Sequence, residues 1–503
     1  MIELSLQQVA DAVGGRLHGA DPAAAVHWPA ILDSRLAEPG SLFVAVRGEH
    51  VDGHDFAASA VQAGAVAVLA SRPVDAPAVV VPETVAALGR LAARVRHRLP
   101  ATRVIALTGS QGKTSTKDLL ARLLAGLGPV VAPVGSYNNE LGVPLTVLHA
   151  DPATSHLVVE MGARGDGQIS YLCDIARPAV GVVLNVGTAH LGEFGSREAI
   201  AKAKGELVEA LPDSGLAVLN ADDELVRQMA GLTQARVLTF GTTQRADVRA
   251  EDVALDDHGR PRFTLASPQG RTPVAMELLG AHQAVNAAAA AAVALGAGVP
   301  LAEVAAGLEA ARPVSPWRME RHVRTDGVVV INDAYNASPD AMRSALHTLA
   351  AMGERAGGRR TVAVLGEMRE LGDTSASEHD AIGRLAARLG VDLLVVVGAD
   401  ATGLLQGARG DESWRGESVQ VEDADAAVAY VRAALRGALR GGDVVLVKAA
   451  RAAGLERVAE ALVSDPVGAA AGGHRDTAPG GRHEHEGDQV GDPMGDPEGT
   501  GGR

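Results

Sequence analysis

The stretch from Arg103 to Gly128, RVIALTGSQGKTSTKDLLARLLAGLG, constrains the fold more than any other. An apolar run of buried-strand type enters a glycine-containing turn, and the turn opens into a segment whose leucines recur on one helical face before a glycine stop. Strand, loop and helix in that order aim successive backbone N–H groups and a helix N-terminus at one point, which is an anion site. Lys113 would neutralise phosphate charge, and the Thr114 hydroxyl would hold Mg2+. The general Walker spacing asks for another glycine where Leu107 stands, so the match is to a shortened G-x-x-G-K-T form. Its ATP-binding candidates are Gly109, Ser110, Gln111, Gly112, Lys113, Thr114 and Ser115.

A chain of 503 residues exceeds what one core supports, so about two to four domains are expected. Residues 1–100 mix short apolar runs (SLFVAV, AVAVLA, AVVVP) with the helical segment TVAALGRLAARVRHRL and read as a small α/β domain. Residues 101–313 add the strand candidates SHLVVEMG and AVGVVLNVG and the Ala-rich helix AHQAVNAAAAAAVALGAG, a pattern that favours a parallel sheet with helices on both faces. The two prolines of ARPVSPW mark a hinge at Arg312 to Trp317. In residues 314–464, GVVVINDAYN, RTVAVLGEM, VDLLVVVGA and DVVLVKAA read as four strands of a smaller Rossmann-like domain. The Gly-, Pro- and Asp-rich tail 465–503 has too few apolar side chains to offset ordering entropy and reads as disordered. Its His-Glu-His-Glu run reads as solvated rather than metal-binding.

Hydrophobic residues at 47% and charged residues at 21% describe a globular chain able to bury real cores. Cys173 is the single cysteine, which excludes an intramolecular disulfide and a multi-cysteine metal site. With no secretory pattern at the N-terminus and no apolar run long enough to span a bilayer, a cytoplasmic protein without membrane insertion is expected. The formal charge is −15, of which the tail supplies −5 from eight acids and three arginines. A field of that sign argues against nucleic acid as a partner. Small-molecule substrates and a monomer are the expectation.

Ligands of a doubly wound sheet collect beyond the carboxyl ends of its strands, and Glu160 (LVVEMGA) and His190 (NVGTAH) stand at or just past two such ends. Glu160 could share an oxygen-bound Mg2+ with Thr114, and His190 could help hold a second ion nearer the transferring phosphate. Alone, each has a plain alternative as a cap or a hydrogen-bonded loop residue. By spacing, Lys202 and Lys204 in AIAKAKGELVEAL read as a solvated helix face. Asn286, inside the Ala-rich helix, reads as facing water unless it contacts a base. On this footing a ligase, a kinase, a nucleotide-driven switch and a nucleotide-binding scaffold all remain open.

The stretches DSRLAEPGSLFVAVRGEHVDGHDF, TGSQGKTSTK, GSYNNELGVPLTVL, VEMGARGDGQISYL, NVGTAHLGEFGS, AKAKGEL, GAHQAVNA, RMERH, INDAYNASPDAM, VLGEMRELGD and VKAARAAGLE, in this order from about Leu6 to Leu462, resemble the Mur ligase family. The resemblance implies a small N-terminal α/β domain, a central P-loop ATPase-like parallel-sheet domain and a C-terminal Rossmann-like domain. It implies an ATP-dependent acid–amino-acid ligase of peptidoglycan precursor synthesis that activates a carboxylate as an acyl phosphate. INDAYNASPD and LGEMRELGD are similar to the member that joins D-alanyl-D-alanine to UDP-N-acetylmuramoyl-tripeptide, and no DNPR-type stretch for diaminopimelate selection occurs. Single-amino-acid-adding relatives and folate polyglutamate ligases are the alternatives. Position by position, it implies UDP-substrate contacts at Asp33, Ser34, Arg35, Asn138 and Asn139, and Mg2+ ligands at Thr114, Glu160, His190 and a carbamylated Lys204, with Lys202 as runner-up. It further implies adenine, phosphate and ribose contacts at Asn286, Arg318 and Asp333, and an acceptor side at Tyr335, Asn336 and Lys448. Family members carry Gly and Ser after the strand-end lysine, where this chain has Ala449 and Ala450.

Overall fold

The computed structural model describes residues 1–48, 51–188, 191–355, 358–438 and 442–464. The tail 465–503, with its His-Glu-His-Glu run, lies outside them, as does His190. The chain divides into two compact units, Met1–Arg94 and a larger one beginning at Val95.

In the first unit Ser5 opens the helix Leu6–Val13 by reciprocal capping: its Oγ accepts from Gln8 N at 3.2 Å while Gln8 Oε1 accepts from Ser5 N at 3.0 Å. Four strands, β1 (Arg16–His18), β2 (Leu42–Val44), β3 (Ala67–Ala70) and β4 (Ala78–Val80), form a sheet of order β1-β4-β3-β2. The last three are the apolar runs read from the sequence.

The larger unit holds two sheets. The nine-stranded one comprises β5 (Arg103–Thr108), β6 (Val130–Val131), β7 (His156–Glu160), β8 (Val180–Val183), β9 (Leu216–Asn220), β10 (Arg236–Gly241), β11 (Val248–Leu255), β12 (Pro261–Ser267) and β13 (Gly270–Ala275). Its order is β13-β12-β11-β10-β9-β8-β5-β7-β6, parallel from β6 through to β11. β11, β12 and β13 then pair antiparallel, an extension of the expected parallel sheet that was not read from the sequence. The reason is connection length: short turns, one through Gly259 at φ 76°, join these strands, and a parallel pair needs a crossover. Register sets Leu107 opposite Glu160 and Thr108 opposite Val183, so the loop at Gly109 opens between the carboxyl ends of both neighbours of β5.

Helix α1 (Lys113–Leu124) follows that loop, and α2 (Arg197–Glu209) follows β8. α3 (His282–Gly296) is the Ala-rich helix, and its buried alanines, including Ala287 to Ala292, let its backbone lie close to α1 and the sheet.

The second sheet contains β14 (Glu320–Val323), β15 (Val329–Asn332), β16 (Thr361–Leu365), β17 (Leu393–Val397), β18 (Glu417–Val421) and β19 (Val444–Lys448), in the order β14-β15-β19-β16-β17-β18. Only β14 runs antiparallel. β14 and β18 are edge strands with few apolar residues and went unread in the sequence, whereas the four inner strands were legible.

Candidate active site

Two glycines shape the loop after β5. Gly112 sits at φ 81°, and a Cβ there would meet Asn286 Oδ1 at 2.5 Å; a Cβ on Gly109 would meet Leu184 Cβ at 2.8 Å. Asn185, just beyond β8, clips the loop from the side: its carbonyl accepts from Ser110 N (3.2 Å), its Oδ1 from Gln111 N (3.0 Å), and its Nδ2 donates to Gln111 O (3.2 Å). Asn185 opens the stretch NVGTAH but was given no role; its place after a strand that neighbours β5 was the available signal. Lys113 Nζ donates back to Gly109 O at 2.8 Å. Burial holds the Lys113 ammonium below its usual range, with Arg318 adding to the shift and Glu160 and Glu370 opposing it.

Glu160, 2% exposed at the end of β7, receives three donors. Thr114 Oγ1 donates to its Oε2 at 2.9 Å, and Ser136 Oγ and Asn138 Nδ2 each donate to its Oε1 at 2.8 Å. Lys117, buried in α1, hydrogen-bonds Pro133 O and so ties down the loop that carries Ser136 and Asn138. Ser136 and Lys117 were not singled out by the sequence. Asn139 Oδ1 accepts from Leu141 N and Gly142 N, and the side chain is spent on starting the helix Gly142–Leu148.

The two lysines of α2 part company, which corrects the reading of both as solvated. Lys202 is exposed and hydrogen-bonds Asp166. Lys204 is 4% exposed and makes no hydrogen bond or ion pair among the described residues. Burial, with the Lys113 charge adding to it, lowers its pKa to about 7. The signal was present, because Ile200, Ala203, Leu207 and Val208 line the buried stripe of α2 and Lys204 falls within it at helical spacing. Asn286 is corrected likewise: it is buried, and its Nδ2 donates to Gln283 Oε1 at 3.0 Å.

The hinge segment delivers Arg318 to the loop. Arg318 Nη2 donates to Thr114 Oγ1 at 3.3 Å, its guanidinium lies 4.1 Å over the Tyr335 ring, and its buried Nε has no hydrogen-bond partner among the described residues. Flanking Trp317 and Met319 stand at φ 56° and 52°, the left-handed region that side chains avoid. Asp333 holds this geometry, accepting from Met319 N at 3.0 Å and pairing with Lys448 Nζ at 2.6 Å; Lys448 also donates to Asn336 O at 2.8 Å. A cavity of about 540 Å3 lies beside the loop, lined among others by Ser115, Leu119, Leu278, Gln283 and Arg318. Ala449 and Ala450 are buried, and Ala450 N donates to Glu367 O at 2.9 Å.

Asp33 and Arg35 belong to the Met1–Arg94 unit and pair with each other at 2.6 Å, with Ser34 between them opening a short 3-10 turn. Arg35 holds the Asp33 carboxyl below its ordinary range. Among the described residues no group of three or more His, Cys, Asp or Glu side chains gathers as a metal site, and no helix is long and apolar enough to cross a membrane.

Three family models match the chain: the Mur ligase family catalytic domain over residues 31–103, the Mur ligase middle domain over 107–294, and the Mur ligase glutamate ligase domain over 317–451. The UDP-N-acetylmuramoyl-tripeptide–D-alanyl-D-alanine ligase of Mycobacterium tuberculosis is 50% identical, the match covering 92% of this chain and 98% of that one. A crystal structure of MurF from Acinetobacter baumannii superposes with a TM-score of 0.82 at 33% identity, covering 92% of this chain and all of that one, 100%. A MurF ligase from Thermotoga maritima in complex with ADP gives a TM-score of 0.72 at 30% identity, covering 86% and 96% of the two chains.

Proposed function

The chain belongs to the Mur ligase family, and from that membership and the geometry after β5 we propose that it is an ATP-dependent ligase that adds D-alanyl-D-alanine to UDP-N-acetylmuramoyl-tripeptide. The products are UDP-N-acetylmuramoyl-pentapeptide, ADP and phosphate. In this reading residues 1–100 bind the UDP moiety through Asp33, Ser34 and Arg35, residues 101–313 bind ATP, and residues 314–464 close over it and bind the acceptor.

The observation that carries the proposal is the contact of Arg318 with Thr114, 204 positions apart in the sequence, at the mouth of the phosphate loop. A carboxylate must attack the γ-phosphorus of ATP although both reactants are anionic, so charge must be neutralised before they meet. The amides from Gly109 to Thr114 cradle the phosphates, Lys113 leaves Gly109 O to meet them, and Arg318, whose buried Nε has no hydrogen-bond partner among the described residues, supplies a second cation from the C-terminal side. The cavity lined by Gln283 and Ser115 takes the nucleoside. Asn286 at the base and Asp333 at the ribose are what the family resemblance implies, and neither lines that cavity. The acyl phosphate hydrolyses readily, so docking of the C-terminal segment also keeps water out. The amine of the acceptor then attacks the carbonyl, a tetrahedral species forms, and phosphate leaves with the electron pair.

The donors suit a hard divalent cation: a carboxylate and a hydroxyl already 2.9 Å apart at Glu160 and Thr114, and a buried lysine with no partner among the described residues. Glu160, Thr114 and Lys204 as a carbamate would hold Mg2+, His190 completing the set, and the ion would supply charge neutralisation between the reactants. With its pKa near 7, Lys204 offers the neutral amine that carbamylation requires.

The test is phosphate release with UDP-N-acetylmuramoyl-tripeptide, D-alanyl-D-alanine and single amino acids competing as acceptors. Release that needs both the tripeptide substrate and the dipeptide is the expected result. Release with neither, or a stable phosphorylated product, would replace the ligase by a kinase or an NTPase.

A further inference from the structure

Resting on the ligase reading above, we propose that Asp340 is a positioning residue that holds the C-terminal segment against the phosphate loop, gripping Thr188 and acting through Gly187 on Ser110. Asp340 and Thr188 stand in the stretches INDAYNASPDAM and NVGTAHLGEFGS without a role of their own.

Asp340 lies in the first turn of the helix Pro339–Arg355, and its carboxylate is held from its own side before it reaches the other sheet. Its Oδ1 accepts from Arg343 Nη1 at 3.0 Å, and Arg343 Nη2 donates in turn to Glu378 Oε2 at 2.8 Å, on the helix Ser375–Arg388. Its Oδ2 accepts from Thr188 N at 3.0 Å and from Thr188 Oγ1 at 3.3 Å, 152 positions away and just past the carboxyl end of β8. With one oxygen fixed by Arg343, the direction of the other is fixed too, and an ionised acceptor makes the stronger bond.

What Asp340 grips is itself rigid. Asn185 clips Ser110 and Gln111, as described above. Val186 N donates to Asp223 Oδ2 at 2.7 Å, and Val186 O accepts from Arg197 Nη2 at 2.7 Å. Gly187 N donates to Ser110 Oγ at 2.9 Å. Gly187 is also the point of closest approach: a Cβ there would stand 2.2 Å from Asp340 Oδ2 and 3.2 Å from Ser110 Cβ. Carboxylate and loop serine press on the same point, and only a residue without a side chain fits between them. Residues 185–188 are therefore a strut with the phosphate loop on one side and the C-terminal segment on the other. Farther along, Gly192 N donates to Glu370 O at 3.3 Å, and a Cβ on Gly192 would be 2.5 Å from Gly372 N, so the two parts meet again there.

The chemistry gives this hold a purpose. If the segment lifts while the acyl phosphate exists, water adds to the acyl carbon and the bond from that carbon to the phosphate oxygen breaks. Phosphate leaves with the electron pair, the carboxylate and a proton remain, and ATP is consumed without a peptide bond.

The phosphate released per peptide bond formed reads the hold directly, and the wild-type protein should give about one. Asp340 is 28% exposed, so truncating it opens no sealed cavity. For Asp340→Ala, ligation at saturating substrates should fall about 30-fold and the ratio should rise to about three or more. Asp340→Asn, whose amide oxygen can still accept from Thr188 N, should return to within about fivefold of the wild type. Gly187→Ala keeps Asp340 but wedges a methyl under its carboxylate, and should raise the ratio likewise. A wild-type ratio in Asp340→Ala or in Gly187→Ala, whatever the unfolding midpoint does, would reduce the contact to a structural tie and overturn the proposal. Ser110→Ala completes a double-variant cycle: if Asp340 acts through the strut, the pair should lose little more ligation than the worse single variant, and losses that multiply would also overturn it. If the wild-type protein formed no peptide bond from these substrates, the ligase reading itself would fall, a result distinct from an unmoved ratio in the variants.

Discussion

The larger unit buries one lysine at a strand end of its second sheet and another on a helix beside its first, and the two are provided for in opposite ways. Lys448, at the end of β19, is 2% exposed and held by Asp333 and by the carbonyl of Asn336. Lys204, on α2, is 4% exposed and has no hydrogen bond or ion pair among the described residues. Burial lowers both pKa values, but at Lys448 the Asp333 carboxylate opposes the shift, whereas at Lys204 the Lys113 charge adds to it. A paired buried cation braces a loop, here the turn from Asp333 to Asn336. An unpaired one is costly to the fold, and a place in a reaction explains why it is kept.

The sharpest way to break the comparison is to remove the cation that both regions serve. Lys113→Ala should lower turnover by about 1,000-fold or more, since the phosphates lose their one loop lysine. Phosphate release under saturating substrates measures it; a modest change would mean that Arg318 alone suffices and that the central loop is not dominant.

Next comes Lys448→Met, which strands the Asp333 carboxylate in the interior. Breaking a buried pair from one side costs about 3 kcal/mol, so denaturant unfolding of the larger unit should move by that order. Met319 N, bonded to Asp333, would loosen with it, and KM for ATP should rise as Arg318 loses its fixed approach. An unfolding midpoint equal to the wild type would show that the pair carries no structural weight.

Lys204→Met should do the reverse for stability. Turnover should fall by about 50-fold, an effect of the size seen when a metal site loses a supporting group, and small carboxylic acids should restore part of it in Lys204→Ala. The folded protein should nevertheless become more stable. The unfolded chain keeps the Lys204 proton up to its ordinary value of 10.5 while the folded one releases it near 7. Between those values the unfolded state binds more protons, so wild-type stability rises with pH through that window, and the methionine variant should lack this contribution. A variant with the same pH slope as the wild type would remove the inference from burial.

The same contrast explains what could be read from sequence. The phosphate loop was legible because strand, turn and helix are contiguous, and Glu160 because a strand end is a local feature. Asn185, Ser136 and Asp340 were not, since their partners lie 74, 24 and 152 positions away and only the sheet order brings them together. β5, β7 and β8 of the nine-stranded sheet and the four inner strands of the second announced themselves by apolar runs, whereas β9 and β10 were not read. β11 to β13 were not read either, because exposed alternate positions such as Asp252 and Ala254 dilute the pattern of an edge-side hairpin. Lys204 was put at the site by the resemblance and not by spacing, which gave a solvated face: it occupies a core position of the α2 stripe, where a charge is costly.

Lys202 supplies the smallest effect and the closest control, since it shares helix, residue type and neighbourhood with Lys204. Its side chain is 73% exposed, and its hydrogen bond to Asp166, itself 51% exposed, raises its pKa rather than lowering it. Exposed pairs lose in side-chain entropy and solvent screening most of what they gain by attraction. Lys202→Ala should therefore leave turnover, metal dependence and the unfolding midpoint indistinguishable from the wild type, and added salt should not change that. An amine that stays charged cannot take up carbon dioxide, so small carboxylic acids should have nothing to restore in this variant. If it instead lost activity as Lys204→Ala does and recovered with acetate, the carbamate would belong to Lys202, and burial would no longer be the property that separates a reactive lysine from a solvated one on α2.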